Sequence, residues 1–287
     1  MNTKVIKNPE DVKHLERMKH HMIASNLSPR TVSNYLWSVQ RTLTYCDKSL
    51  EDIESDDIIA WMVYQKENQD KAFSTMNITV CAMRYMFKHV LKREDVMLSV
   101  PYPRKENLLP EILNGKELQS LYSHCTELKY RMILKMTYGS GLRISEAINL
   151  KATDIDSRSL LVRINSGKGN RGRYSLLCGK LLPELRDYFR KVRPEKYLFN
   201  GYRKGEPMSR TSIQRRFRMA KQAAGITKDV SVHNLRHSFA THLLICGCDI
   251  VRIQHYLGHS SIRTTMMYLR MVPQSGKSPV SPLDFLY

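Results

Sequence analysis

The sequence predicts a mainly α chain with a small β-sheet, an α+β fold arranged in two domains. Apolar residues recur every three to four positions through most of the first hundred residues. One later segment instead alternates apolar and polar residues on both sides of a glycine-rich turn. Between these regions, Pro101, Pro103 and Pro110 punctuate the polar run Arg104-Lys105-Glu106-Asn107, which proline keeps out of a helix. The charge balance shifts at the same place: 14 Lys+Arg face 13 Asp+Glu up to residue 103, and 32 face 14 beyond it. A helical domain is therefore expected at 1–103, a mixed domain at 104–287, and a linker at about 101–110.

Residues 9–25 make a first amphipathic helix. Ser28-Pro29 supplies an N-cap and a proline at the first helical position, and Val32, Tyr35, Leu36, Val39, Leu43 and Cys46 follow on one face. Ser55-Asp56-Asp57 puts acids at the positive end of a third helix carrying Ile58, Ile59, Trp61 and Met62. Met76, Val80, Met83, Phe87 and Val90 mark a fourth. Leu160, Val162 and Ile164 then alternate into Gly167-Lys168-Gly169-Asn170, and Tyr174 and Leu176 return as the second arm of a hairpin. Residues 209–224 align Ile213, Phe217, Ala220 and Ala224, surround them with Arg210, Arg215, Arg216, Arg218 and Lys221, and stop at Gly225.

A net charge of +19 points to a polyanionic partner. Hydrophobic residues at 42% are enough for ordinary cores and exclude wholesale disorder. No apolar run approaches the roughly eighteen residues of a membrane span, and Met1-Asn2-Thr3-Lys4 opens no signal core, so a soluble, intracellular protein is expected. The six cysteines include no C-x-x-C pair, and Cys246 and Cys248 with His237 and His242 fit no common zinc spacing. Reduced cysteines and no metal are expected.

Four segments carry candidate chemistry. In Gly139-Ser140-Gly141-Leu142-Arg143-Ile144-Ser145-Glu146, a glycine turn opens a helix with Arg143 and Glu146 on one face. That pair reads as an ordinary ion pair or as a phosphate-binding arginine at a helix start. Lys168, between two glycines, lacks the flanking residues of a nucleotide-binding loop, so it is a solvated lysine or a proton donor to a leaving group. In Ser231-Val232-His233-Asn234-Leu235-Arg236-His237-Ser238-Phe239-Ala240-Thr241-His242, His233 and Arg236 share a face and can converge on one anion. His237 and His242 are read as structural. In Leu257-Gly258-His259-Ser260-Ser261-Ile262-Arg263-Thr264-Thr265-Met266-Met267-Tyr268, Ser260 or Ser261 can cap a short helix that carries Tyr268. A phenol needs cations around it to become a usable nucleophile, and the other three segments supply them.

Taken together and in this order, the four segments resemble the tyrosine recombinase (phage integrase) family, and are similar to its two-domain Xer-type members. The resemblance covers nearly the whole chain. It implies a helical core-binding domain and a mixed catalytic domain forming a C-shaped clamp around duplex DNA. It further implies that Tyr268 attacks a scissile phosphate, leaving a 3′-phosphotyrosyl link and a free 5′-hydroxyl. Arg143 and Arg236 would hold the nonbridging oxygens, Lys168 would protonate the 5′-oxygen, and His233 would assist as acid/base. His259 would be a second phosphate hydrogen-bonder and Glu146 the orienting carboxylate. Because the phosphotyrosine preserves the bond energy, neither ATP nor a metal cofactor is expected. The partner implied is double-stranded DNA with paired half-sites, bound by a homo-tetramer or together with a related recombinase, without a membrane, in the cytoplasm with the nucleoid. Arg210, Arg215, Arg216, Arg218 and Lys221, with Arg41, Arg84 and Lys88 in the first domain, are the expected DNA contacts.

Some features depart from the Xer pattern. Val272-Pro273 and the Gly/Ser/Pro-rich stretch beyond argue against a long C-terminal helix. Leu283, Phe285, Leu286 and Tyr287 form an apolar plug expected to pack into a neighbouring protomer, and a further arm-binding domain ahead of the core-binding helices is not expected. A DNA-binding regulator, a type IB topoisomerase and a metal-dependent nuclease are the rival readings. Against them stand, respectively, the ordered catalytic set, the small size with the plug-like tail, and the lack of clustered acids in the basic domain.

Overall fold

The computed structural model describes residues 8–104, 109–165, 172–203 and 205–271. The chain divides into two compact units between residues 107 and 108.

In the first unit, Asn8 accepts the Glu10 N–H and Pro9 opens α1 (Pro9–Ala24). Ser28 accepts the Thr31 N–H ahead of α2 (Pro29–Cys46), which ends where Asp47 turns left-handed. The acids Asp56 and Asp57 occupy the first turn of α3 (Ser55–Glu67), where the helix dipole favours them. Then α4 (Phe73–Met86) runs on through a wide turn of π type, Phe87–Leu91. Met18, Met22, Val39, Ile58, Val80, Met83 and Phe87 are fully buried in one core. Each such side chain contributes roughly 1.5–3 kcal/mol by leaving water. Buried Asp11 accepts the Leu50 N–H at 2.9 Å, tying α1 to the loop between α2 and α3.

The second unit begins with α5 (Gly115–Ser123), α6 (Leu128–Gly139) and α7 (Ile144–Asn149). An antiparallel sheet of β1 (Ile155–Asp156), β2 (Leu161–Ile164) and β3 (Arg173–Leu176) follows, ordered β1-β2-β3 with Val162 opposite Ser175. Val162 and Ile164 face the core and Arg163 between them faces out. The chain continues through α8 (Leu182–Val192), α9 (Arg210–Ala223), α10 (Val232–Ile245), α11 (Ile250–Leu257) and α12 (Ile262–Met266). Helix α6, with Met132, Ile133, Leu134 and Met136 fully buried, is central to the main core. A smaller cluster of Phe239, Ala240, Ile253, Leu257 and Tyr268 packs α10, α11 and the tyrosine together.

Three local features differ from the sequence expectation. Strand β1 extends the expected hairpin to three strands; two residues are too few to show alternation. Arg143 has extended backbone just ahead of α7, so it precedes that helix instead of riding on it. Tyr268 lies beyond α12, on a 3₁₀ turn spanning Met267–Met271, and Ser261 precedes α12 without a side-chain capping bond.

Candidate active site

Glu146 sits at the third position of α7 and accepts the backbone N–H of Arg143 at 2.7 Å and its guanidinium at 2.9 Å. Arg173, at the start of β3, adds two parallel hydrogen bonds to the same carboxylate at 2.7 and 2.8 Å, a bidentate pairing. Arg236 on α10 faces it at 3.7 Å. Burial alone would raise the Glu146 pKa. The Arg173 hydrogen bonds and charge, the Arg143 N–H and the Arg236 charge outweigh that and hold it below the usual carboxylate value.

Arg236 is 1% exposed. Its guanidinium donates to the carbonyl of Gly141 at 2.8 Å and to that of Leu257. Burial, with Arg143 nearby, pushes its pKa down to about 9, which leaves it a cation at neutral pH. Two glycines leave room for side chains that pack close to the site. Gly141 has φ +59°, and a Cβ there would lie 2.4 Å from the Phe239 ring; Gly258 has φ +63°, and a Cβ there would lie 2.6 Å from Arg173 Cδ.

His259 follows Gly258, and its Nδ1 pairs with the hydroxyl of fully buried Thr265 at 2.9 Å. Burial and the charges of Arg236, Arg143 and Arg173 push His259 down to about 4. His233 is lowered by desolvation and by Arg236, Arg143 and Arg210, which places Arg210 within electrostatic reach of the site. Tyr268 is 1% exposed, and its hydroxyl lies 3.0 Å from His237 Nδ1. Burial raises the phenol pKa, while Arg236 and Arg143 pull it back.

The structure thus brings Arg143, Glu146, Arg236, His259 and Tyr268 together from three stretches of chain, with His233 at the margin. Lys168 lies outside the described residues. Three contacts carry no sequence signal: Arg173 on Glu146, Thr265 on His259, and His237, read from the sequence as structural, on the Tyr268 hydroxyl. His242 does have a structural partner, the Tyr138 hydroxyl at 2.9 Å.

The expected DNA contacts vary in how far they are engaged within the protein. Arg216 pairs with Glu127 at 2.5 Å, and Lys88 with Glu94 at 3.1 Å. Arg84 donates to the Val100 carbonyl and lies 4.4 Å over the Tyr102 ring; Arg41 sits 5.8 Å over Trp37 and 5.9 Å over Trp61. Arg215, Arg218 and Lys221 lie on α9. Among the described residues no cluster of His, Cys, Asp and Glu could hold a metal ion, and no helix is long and apolar enough to cross a membrane.

Residues 111–274 match the phage integrase family, and residues 14–95 match the phage integrase N-terminal SAM-like domain. A Sinorhizobium fredii protein, y4qK, whose name calls it an integrase/recombinase, is 38% identical over 94% of this chain and 88% of its own length. Tyrosine recombinase XerD of Corynebacterium glutamicum is 31% identical over 90% of this chain and 93% of its own. In fold, the chain is similar to a lambda integrase tetramer crystallised on a Holliday junction, with TM-score 0.78, 16% identity, and coverage of 93% of this chain and 80% of that one. The chain therefore belongs to the phage integrase family and is a tyrosine site-specific recombinase.

Proposed function

We propose that Tyr268 cuts duplex DNA by attacking a scissile phosphate, and that the enzyme exchanges strands between paired half-sites as a homo-tetramer. The observation that carries this is the buried phenol within reach of two arginines that one carboxylate orients. Phosphoryl transfer asks a protein mainly for positioning and charge stabilisation. Arg143, whose side chain is 34% exposed, and Arg236 bind the nonbridging oxygens. If Thr265 donates to Nδ1 of His259, the ring proton sits on Nε2, where it serves as a further donor to phosphate. His233 assists proton transfer at the margin of the site.

Lys168 protonates the departing 5′-oxygen. The described residues on either side of its segment are tied down: Asn165 donates to buried Asp154 at 2.6 Å, and Arg173 is held by Glu146. Arg210, Arg215, Arg218 and Lys221 meet the DNA backbone, with Arg41, Arg84, Lys88 and Arg216 joining them where their internal partners allow. Both units contact the duplex, and the C-terminal plug of Leu283, Phe285, Leu286 and Tyr287, outside the described residues, docks on the next protomer. The protein works in the cytoplasm, at the nucleoid.

Incubation with nicked suicide duplexes tests the chemistry. Tyr268→Phe is expected to retain DNA binding and yield no covalent protein–DNA adduct; an adduct in that variant would move the nucleophile elsewhere. Lys168→Ala is expected to cleave slowly and to recover when sulfur replaces the leaving 5′-oxygen, since a thiolate needs no proton to depart. Failure to recover would remove the acid role from Lys168.

A further inference from the structure

We propose that His237 is the proton acceptor for the Tyr268 phenol, acting through the imidazole nitrogen that touches the reacting oxygen. This role presupposes Tyr268 as nucleophile. Nδ1 of His237 and the phenol oxygen are 3.0 Å apart, and among the described residues the hydroxyl has no other hydrogen-bond partner. With Tyr268 1% exposed, bulk water is a poor recipient for its proton. The other two imidazoles are placed differently: His259 Nδ1 is taken by Thr265, and His233 meets the His237 ring edge-on at 4.7 Å.

The charged and titratable groups around the pair are His233 and Arg236 on α10, Arg143 ahead of α7 and His259 after α11, with Tyr138 on α6 packed against the same cluster; Arg210 at the start of α9 acts on His233. Burial, His233 and Arg236 push His237 down to about 4, so it enters the reaction as a free base with a lone pair for the phenol. A phosphodiester bound among the same cations adds negative charge and raises the proton affinity of His237. Bonding to phosphorus simultaneously makes the phenol more acidic. In cleavage, the proton moves from Oη to Nδ1 as the Oη–P bond forms. The P–O5′ bond breaks with its electron pair, and the 5′-oxygen takes a proton from the acid assigned to Lys168. Religation runs the same transfers backwards, His237 returning its proton to the departing tyrosine.

Single-turnover adduct formation on nicked duplexes, followed from pH 6 to pH 9, tests this. His237→Ala is expected to react about 100-fold more slowly at pH 7. The deficit should shrink as rising pH ionises the phenol directly. His237→Gln, which can accept a hydrogen bond but not a proton, is expected to be equally slow. Three results would overturn the assignment: a wild-type rate in His237→Ala, a faster one revealing a latch, or recovery in His237→Gln revealing positioning alone. Tyr268→Phe runs alongside, so a surviving adduct there sinks the nucleophile, while its absence beside an unimpaired His237→Ala sinks only the acceptor. If both His237 variants fail to fold, nitrogen NMR of histidine in the parent protein decides: Nε2–H is expected, and a proton on Nδ1 overturns the role.

Discussion

Glu146, with its side chain 2% exposed, neutralises guanidiniums that would otherwise repel one another. Removing one member of a buried ionic set is strongly destabilising because the partners remain, desolvated and uncompensated. Glu146→Ala is expected to lower stability by about 3–5 kcal/mol, read as a shift of the urea midpoint. An unmoved midpoint would mean that Arg173 and Arg236 find water when the carboxylate goes. Arg143 and Glu146 were legible together because they stand three residues apart. Arg173 reaches Glu146 across 27 residues, and His237 reaches Tyr268 across 31. No periodicity records such meetings, so an imidazole beside Tyr268 looks in the sequence like any helix histidine.

Among the elements, the connection from α11 to α12 shows how a turn can hold a side chain in place. Gly258→Ala would force a left-handed alanine and press its methyl against Arg173. The loss expected is about 2–4 kcal/mol, roughly 1 from the backbone and the rest from overpacking. Gly225→Ala is the matched control: φ is +67°, yet nothing lies within 4 Å of the added carbon, so about 1 kcal/mol is expected. Equal losses in the two variants would show that Arg173 moves aside freely. Elements with chemical punctuation were readable in advance, such as α2 behind Ser28-Pro29 and α9 ahead of Gly225. β1 was not, because two residues carry no pattern, and neither was the 3₁₀ turn under Tyr268, whose geometry is set by packing on α10.

For the molecule as a whole, the half-buried imidazoles set an acid limit. His237 and His259 lie at about 4 in the folded chain against an ordinary 6.5. Between those values the unfolded chain binds more protons, so the stability these groups contribute is complete above pH 6.5 and is lost as pH falls towards 4. His233 and His242, also lowered, act in the same direction. The melting temperature is expected to fall steadily across that window; a flat profile would mean that the rings are hydrated. The grip of Arg236 has a consequence for synthesis. Its guanidinium holds carbonyls 95 residues before it and 21 residues after it. A nascent chain still on the ribosome, not yet extended past residue 257, has no second carbonyl to grasp. Such a copy also lacks Tyr268, so Arg236 and the phenol take up their places only after this later stretch has emerged.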